Sequence, residues 1–147
     1  MKCVNPVTGE TVWTFKTGAL IRCAPVAGDL DGDGVAEIAV CSQDHKVYVL
    51  SGRDGRERWH FKTGEELHSM PAIGDVSGDG RPDVVVGSDD DSVYVLDGVT
   101  GRLLWSFSGT ADIDAGLRLA DVDGDGVVEI LMCSNDGKVY CLGLRRR

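Results

Sequence analysis

The chain repeats itself with a step of 46 residues. Three tryptophans stand one step apart, at Trp13, Trp59 and Trp105. Three acidic loops keep the same step, at Asp29–Gly34, Asp75–Gly80 and Asp121–Gly126. The other aromatic residues obey it as well: Phe15, Phe61, Phe107, Tyr48, Tyr94 and Tyr140. A period of roughly 40–50 residues predicts an array of similar supersecondary units, each packed on its neighbours.

The middle repeat has the pattern of four short β-strands. The runs 68–74, 82–88, 93–97 and 102–108 are rich in β-formers, and Gly- and Asp-rich turns separate them. No stretch shows a sustained helical period of apolar residues, so we expect essentially no helix. Four short antiparallel strands per repeat predict an all-β chain with the β-propeller fold. We name the strands of each four-stranded blade A to D.

The repeats predict a single propeller fragment without further domains. Its parts are a D strand at 9–18, repeats 19–64 and 65–110, an incomplete ABC repeat at 111–143, and a basic tail at 144–147. Joining the first D strand to the last ABC sheet gives three blades per chain. Because a propeller ring needs at least about four blades, we expect self-association. A homodimer with six blades is favoured, and a homotrimer with nine is the alternative.

The acidic loops have the residue types of a site for a hard divalent cation. In the first loop, Asp29, Asp31 and Asp33 alternate with other residues, Gly34 follows, and Glu37 stands at position 9. Alternating carboxylates before a glycine wrap oxygen atoms around an ion, and the carbonyl at position 7 adds a ligand. An EF-hand needs an acid at position 12, where these loops carry apolar residues. Aspartate and glycine also form β-turns that bind no metal.

The three loops together predict up to three Ca²⁺ ions per chain. Calcium is preferred to magnesium because many flexible oxygen ligands suit the larger ion. The second loop is expected to bind least well, since Ser77 replaces a carboxylate. The predicted ligands are Asp29, Asp31, Asp33, Val35 and Glu37 in loop one, Asp75, Ser77, Asp79, Arg81 and Asp83 in loop two, and Asp121, Asp123, Asp125, Val127 and Glu129 in loop three.

Two known repeat types resemble this sequence, and together they cover nearly the whole chain. The acidic loops between two strands resemble the FG-GAP repeats of integrin α-subunit propellers and their bacterial relatives. The run from Val93 to Phe107 is similar to the quinoprotein-type repeat, with its Tyr…Asp…Thr-Gly…Leu-Trp-x-Phe ending. The FG-GAP resemblance implies calcium in the loop between strands A and B. The literal Phe-Gly…Gly-Ala-Pro signature is absent, and quinone binding is not implied.

Charge and hydropathy narrow the range of partners. The net charge is −9, and three bound divalent cations would bring it to −3. Nucleic acid is not an expected partner, because phosphate binding needs clustered Lys and Arg. No run of 18 apolar residues is present, so we expect no membrane span. We also expect no signal peptide in this chain, and the sequence leaves the cellular compartment open.

Five cysteines occur without the CxxC spacing of a metal site. Cys41 and Cys133 are repeat-equivalent, and Cys141 is equivalent to two valines. We therefore expect these thiols to be small buried apolar groups. A disulfide between Cys23 and Cys41 is possible but not required.

The sequence contains no recognisable catalytic motif, and we expect a structural or interaction module rather than an enzyme. An alternative function remains open. Arg22, His68 and Asp114 are repeat-equivalent near the ring axis, yet they differ in type while their surroundings repeat. The chain would then be a fragment of a ligand-binding or enzymatic propeller with a site on that face. Drift at a solvent-lined channel would produce the same pattern.

Overall fold

The computed structural model describes residues 1–113 and 116–143, and every regular element in these ranges is a β-strand. The all-β prediction is confirmed. None of the described segments forms an apolar helix long enough to cross a membrane. The acid at 114 and the basic tail at 144–147 lie outside the described residues.

Thirteen strands form four antiparallel sheets among the described residues, in chain order. The first sheet holds β1 (Lys2–Val4) and β2 (Thr11–Thr14). The second holds β3 (Val26–Gly28), β4 (Glu37–Ser42), β5 (Lys46–Ser51) and β6 (Glu57–Lys62). The third holds β7 (Ala72–Gly74), β8 (Asp83–Gly87), β9 (Ser92–Asp97) and β10 (Leu103–Ser108). The fourth holds β11 (Arg118–Ala120), β12 (Glu129–Cys133) and β13 (Val139–Leu142).

The strand register repeats from sheet to sheet. Each tryptophan on a D strand faces the equivalent residue of the C strand: the pairs are Cys3–Trp13, Val49–Trp59 and Val95–Trp105. The register shifts just beyond each of these pairs. In the second sheet, the shift lies between β5 and β6, and the extra residue on β6 is Arg58. Such bulges turn a side chain away from its regular direction.

The hydrophobic core lies between neighbouring sheets. Alternate residues of each strand point to opposite faces, so each sheet has one face toward the preceding sheet and one toward the following sheet. The second and third sheets meet through a buried cluster that includes Val47, Val49 and Leu96. The third and fourth sheets meet through another cluster, which includes Val93 and Ile130.

A tryptophan–glycine contact fastens the first sheet to the second and the second sheet to the third. The indole N–H of Trp59 donates to the carbonyl of Gly98 over 2.9 Å, and Trp13 donates likewise to Gly52 over 3.1 Å. Gly101 lies beneath the ring of Trp59 at φ +70°, and a Cβ there would stand 2.5 Å from the indole. Only glycine satisfies both the left-handed backbone and the close approach.

The two ends of the sheets carry different loops. In an antiparallel meander, the A–B and C–D connections lie at one end and the B–C and D–A connections at the other. The three acidic loops are A–B connections, so they share one end, which we call the acidic end. The B–C turns, at 43–45, 88–91 and 134–138, share the opposite end.

Candidate functional site

Each acidic loop is folded around the carboxylate of its first aspartate. In loop one, Asp29 accepts the amide of Gly32 on one oxygen (2.7 Å) and that of Gly34 on the other (2.9 Å). Both glycines have positive φ, 78° and 83°, which glycine adopts without strain. Loop three is folded in the same way around Asp121. The Asp-Gly pattern therefore fixes the loop path through local hydrogen bonds.

The acid at position 9 is buried and braces its loop from the next strand. Glu37 accepts the amide of Leu30 over 3.1 Å, and Glu129 accepts that of Val122 over 2.8 Å. Asp83 accepts two loop amides, from residues 76 and 77, at 3.0 and 2.8 Å. Burial raises the pKa of Asp83, and these two amides oppose that rise. The sequence predicts this acid only as a ligand and does not reveal its hydrogen bonds to the loop amides.

The structure brings three acids together in loops one and three. The groups are Asp29, Asp31 and Asp33, and Asp121, Asp123 and Glu129, each with ligand oxygens within 4.8 Å of one another. Among the described residues, loop two forms no such group, in keeping with the serine at its third position. The donors in loops one and three are all carboxylate oxygens, which fit a calcium ion.

The residues predicted to offer a carbonyl at position 7 have a further contact through their amides. The amides of Val35, Arg81 and Val127 donate to the position-5 aspartates of their loops, at 2.8, 2.9 and 2.8 Å. These bonds leave the carbonyl oxygens of position 7 available to an ion, although they also engage one oxygen of each position-5 carboxylate. Binding by these residues stays a prediction.

Loop one differs from loops two and three through the residue at the β5–β6 register shift. The Nη2 atom of Arg58 lies 3.0 Å from Asp31 Oδ2 and 3.2 Å from Glu37 Oε1. The equivalent residues of the first and third sheets are valine and leucine. Arg58 supplies a positive charge that partly balances the acids of loop one, so a cation there competes with this guanidinium.

A second polar cluster lies at the opposite end. His68 Nε2 is 2.9 Å from Glu66 Oε2, and His68 Nδ1 is 3.1 Å from Asp89 Oδ2. Gln43 Nε2 lies 2.7 Å from both Glu66 Oε2 and His68 Nε2. Arg22 Nε donates to Gln43 Oε1 at 3.4 Å, which connects it to the cluster only through that amide. The third predicted member, Asp114, lies outside the described residues.

The sequence prediction located His68 but missed Glu66, Gln43 and Asp89. These side chains differ from their repeat equivalents, so the 46-residue period does not reveal them. Strand order could have done so, because a D–A connection and a B–C turn necessarily share one end of a blade.

A repeated aspartate clamp was also missed, although it has a clear periodic signal. Asp44, Asp90 and Asp136 recur at the 46-residue step. They accept hydrogen bonds from the hydroxyl groups of Tyr48, Tyr94 and Tyr140, at 2.6, 2.7 and 2.6 Å. Asp44 and Asp90 also accept the amides of Gly18 and Gly64, which ties the D–A connection to the C strand.

The cysteines divide into two environments. Cys41 is buried, whereas Cys133 and Cys141 are exposed on the outward face of the fourth sheet. The expectation of burial is therefore wrong for these two, because none of the described residues covers that face. The Cys23 thiol is free, and its Sγ lies 3.7 Å from the Cys41 carbonyl oxygen, to which it can donate. A hydrogen bond from the Cys41 thiol to the ionised Cys23 is the largest factor that lowers the pKa of Cys23 to about 6. Cys41, as donor and as a buried group, has a raised pKa.

The sequence of the chain matches a known protein family. The PQQ_2 family model, described as outer membrane protein assembly factor BamB, matches residues 1–145. A search of curated proteins finds no match.

Solved structures show the same fold. The crystal structure of BamB from Moraxella catarrhalis is similar with a TM-score of 0.63 and 20% identity, over 92% of this chain and 37% of that one. BBS1N, solved in complex with ARL6DN, has a TM-score of 0.60 and 16% identity, over 85% of this chain and 38% of its own. The chain thus spans less than two-fifths of either protein. The shared feature is the β-propeller fold, in agreement with the predicted fold class.

Proposed function

The chain belongs to the family described as outer membrane protein assembly factor BamB, and on that premise we propose that it is a calcium-stabilised propeller module with a structural or interaction role rather than an enzyme. The family description as an assembly factor agrees with such a role. Calcium binding, the FG-GAP resemblance and self-association are parts of this proposal.

The contacts of the aromatic side chains support a structural role. Two tryptophans donate to the carbonyl of a neighbouring sheet, and the rings of Phe15 and Tyr48, Phe61 and Tyr94, and Phe107 and Tyr140 lie 5.3–5.7 Å apart. The tyrosine hydroxyls are held by the aspartate clamp. Rings engaged in this way hold sheets together and are not free to stack on a sugar or a base.

The acidic end supports the calcium part of the proposal. Loops one and three each gather three carboxylates on a backbone whose turns are set by glycine. Such carboxylates repel one another without a cation. An ion that binds only the folded loop stabilises the fold by mass action, by about 2.7 kcal/mol when free Ca²⁺ is 100 times Kd.

Titration calorimetry and thermal unfolding test the calcium proposal. We expect Ca²⁺ to bind loops one and three and to raise the unfolding temperature, and chelator to reverse the rise. Asp123→Asn should weaken binding in loop three. Asp91→Asn, in a B–C turn at the opposite end, is the matched control and should leave binding unchanged. Calorimetry without a calcium signal, together with melting insensitive to chelator, would contradict the proposal.

The outward face of the fourth sheet supports self-association. Val47 and Val93 are completely buried, but their equivalent Val139 is 75% exposed. Val47 is covered in the same cluster as Leu96 of the following sheet. The first sheet carries the equivalent of Leu96 at Val4, which is 44% exposed. The fourth sheet of one copy can therefore repeat the Val47–Leu96 contact on the first sheet of another.

Head-to-tail docking of this kind closes into a ring when the rotation divides the circle. Two copies docked in this way would close a ring of eight sheets, four from each copy. The six-bladed dimer or nine-bladed trimer expected from the sequence needs the first D strand to leave β1 and join the last ABC sheet of another copy. A closed ring also covers sheet edges, which are otherwise sites of aggregation.

A second candidate function rests on the polar cluster around His68. Its mixture of imidazole, amide and carboxylate groups is suited to ligand binding, which agrees with the alternative of a propeller with a site on the ring face.

A further inference from the structure

The cluster at the opposite end has the donor set of a transition-metal site. Glu66, His68 and Asp89 each offer one ligand atom, and the three atoms lie within 4.8 Å of one another. We propose that these three residues bind one divalent transition-metal ion of the zinc class, at a site separate from the acidic loops.

The histidine distinguishes this cluster from the calcium-type loops. An imidazole nitrogen is a preferred ligand of Zn²⁺ and its neighbours, whereas calcium sites are built from oxygen atoms. The two carboxylates add a charge of −2 that balances a divalent ion. Zinc–nitrogen and zinc–oxygen bonds are about 2.0–2.2 Å, so modest side-chain rotations would close the three ligand atoms onto one ion.

The backbone holds the three residues close together before any ion binds. The amide of Asp89 donates to the carbonyl of Glu66 over 3.1 Å. The hydroxyl of Ser88 donates to the same carbonyl over 3.2 Å. These bonds join the B–C turn to the D–A connection, and His68 follows Glu66 by only two residues. A site whose parts are already fixed loses less entropy when it binds.

Gln43 can provide the outer contact that a metal-binding histidine uses, since Glu66 and Asp89 are themselves the proposed ligands. A histidine that binds a metal through one ring nitrogen usually has its other nitrogen held by a carboxylate or carbonyl. Each ring nitrogen of His68 has one of the proposed carboxylate ligands within 3.1 Å, so the nitrogen that does not bind the ion needs another partner. Gln43 lies 2.7 Å from Nε2, and its amide oxygen and nitrogen can exchange places by rotation.

The other repeats keep the backbone hydrogen bond of this site, and the preceding repeat lacks its ligands. The amide of Gln43 bonds the carbonyl of Leu20 (2.9 Å), and that of Asn135 bonds the carbonyl of Asp112 (3.1 Å), as in the proposed site. In the second sheet, however, the equivalents of Glu66 and His68 are Leu20 and Arg22, which cannot bind a cation. The shared hydrogen bonds are thus part of the fold, and the donor set is an addition to it.

Cobalt(II) binding tests the proposal, because the visible spectrum of Co²⁺ reports its ligands. The full chain is saturated with Ca²⁺ to fill the acidic loops and is then titrated with Co²⁺, with Zn²⁺ as the competitor. We expect one further Co²⁺ per chain, displaced by Zn²⁺, without the sulfur-to-metal charge-transfer band that Cys23 or Cys41 would give. His68→Gln should weaken binding by on the order of 100-fold, and Asp89→Asn by ~10–100-fold.

His60→Gln is the matched control, since His60 is an exposed histidine 2.7 Å from Glu57. The His60→Gln variant should bind Co²⁺ as the unaltered chain does. Circular dichroism checks that each variant is folded, and Glu66→Gln provides an independent test if His68→Gln is not. Unchanged Co²⁺ affinity in the folded His68 or Glu66 variant would overturn the proposal. So would a sulfur charge-transfer band or the absence of binding in the calcium-saturated chain. None of these results depends on whether calcium stabilises the fold.

Discussion

The second and fourth sheets carry similar residues on their outward faces, but only one of these faces is covered. In the second sheet, Cys41, Val47 and Val49 are completely buried against the third sheet. Their equivalents in the fourth sheet, Cys133, Val139 and Cys141, are exposed. The comparison shows that a blade's apolar face is only half of an interface. Its burial depends on the blade that follows.

The equivalent tryptophans of the second and third sheets also differ in their packing. Trp59 packs on the third sheet and donates to its Gly98 carbonyl. Trp105 is only partly covered, and its buried Nε1 has no hydrogen-bond partner among the described residues. Equivalent residues therefore contribute unequally to stability, and substitutions can measure the difference.

The largest effect is expected for Trp59→Ala. Loss of a large aromatic side chain from a core lowers the free energy of unfolding by roughly 3–5 kcal/mol. Trp105→Ala should lower the free energy of unfolding by less. The difference from Trp59→Ala comprises about 1 kcal/mol for the hydrogen bond that Trp105 does not make and a further amount for its smaller buried area. Urea unfolding followed by circular dichroism measures both, with the exposed His60→Ala as control. Equal losses of stability at the two tryptophans would contradict their unequal packing.

Gly101→Ala should have the next largest effect. The new Cβ would stand 2.5 Å from the Trp59 indole, in a backbone with φ +70°. Left-handed strain costs about 1–2 kcal/mol, and overpacking a further ~1–3 kcal/mol. Gly9→Ala is the matched control, because Gly9 has φ +75° and nothing within 4 Å of the added Cβ. The difference between the two variants isolates the contact with tryptophan. If both variants lost the same stability, that contact would have no energetic role.

A smaller effect is expected in the pH dependence of thiol alkylation. Because the pKa of Cys23 is lowered to about 6, its thiolate is largely formed at neutral pH. Its alkylation rate should rise as the pH increases through about 6 and then level off. The lowered pKa of Cys23 also favours folding at alkaline pH, and this contribution to stability is lost as the pH falls through about 6. Peptide mapping by mass spectrometry follows each cysteine.

Cys41 provides the contrast in that experiment. It is buried and its pKa is raised, so it should react only on unfolding. A Cys23 rate that keeps rising to pH 8.5, like an ordinary thiol, would contradict the proposed Cys23–Cys41 hydrogen bond.

The sequence predicted the blades because periodic burial produces periodic residues. The step of 46 residues in Trp13, Trp59 and Trp105 reflects one packing environment used three times. The cluster around His68 could not be predicted in the same way, since it depends on side chains that differ between repeats and meet across two sheets. The contact of Arg58 with loop one was equally hidden, because it follows from a register shift rather than from residue type.

The mass of the particle in solution tests whether a second copy covers the outward face of the fourth sheet. Multi-angle light scattering in Ca²⁺ should give twice the 15.7 kDa mass of the chain. Val139→Asp should reduce it to a monomer. Val7→Asp, at a valine already 90% exposed, should leave it unchanged. A stable, folded particle of 15.7 kDa for the unaltered chain would contradict the claim. Three times the chain mass would keep the docking and change only the number of blades.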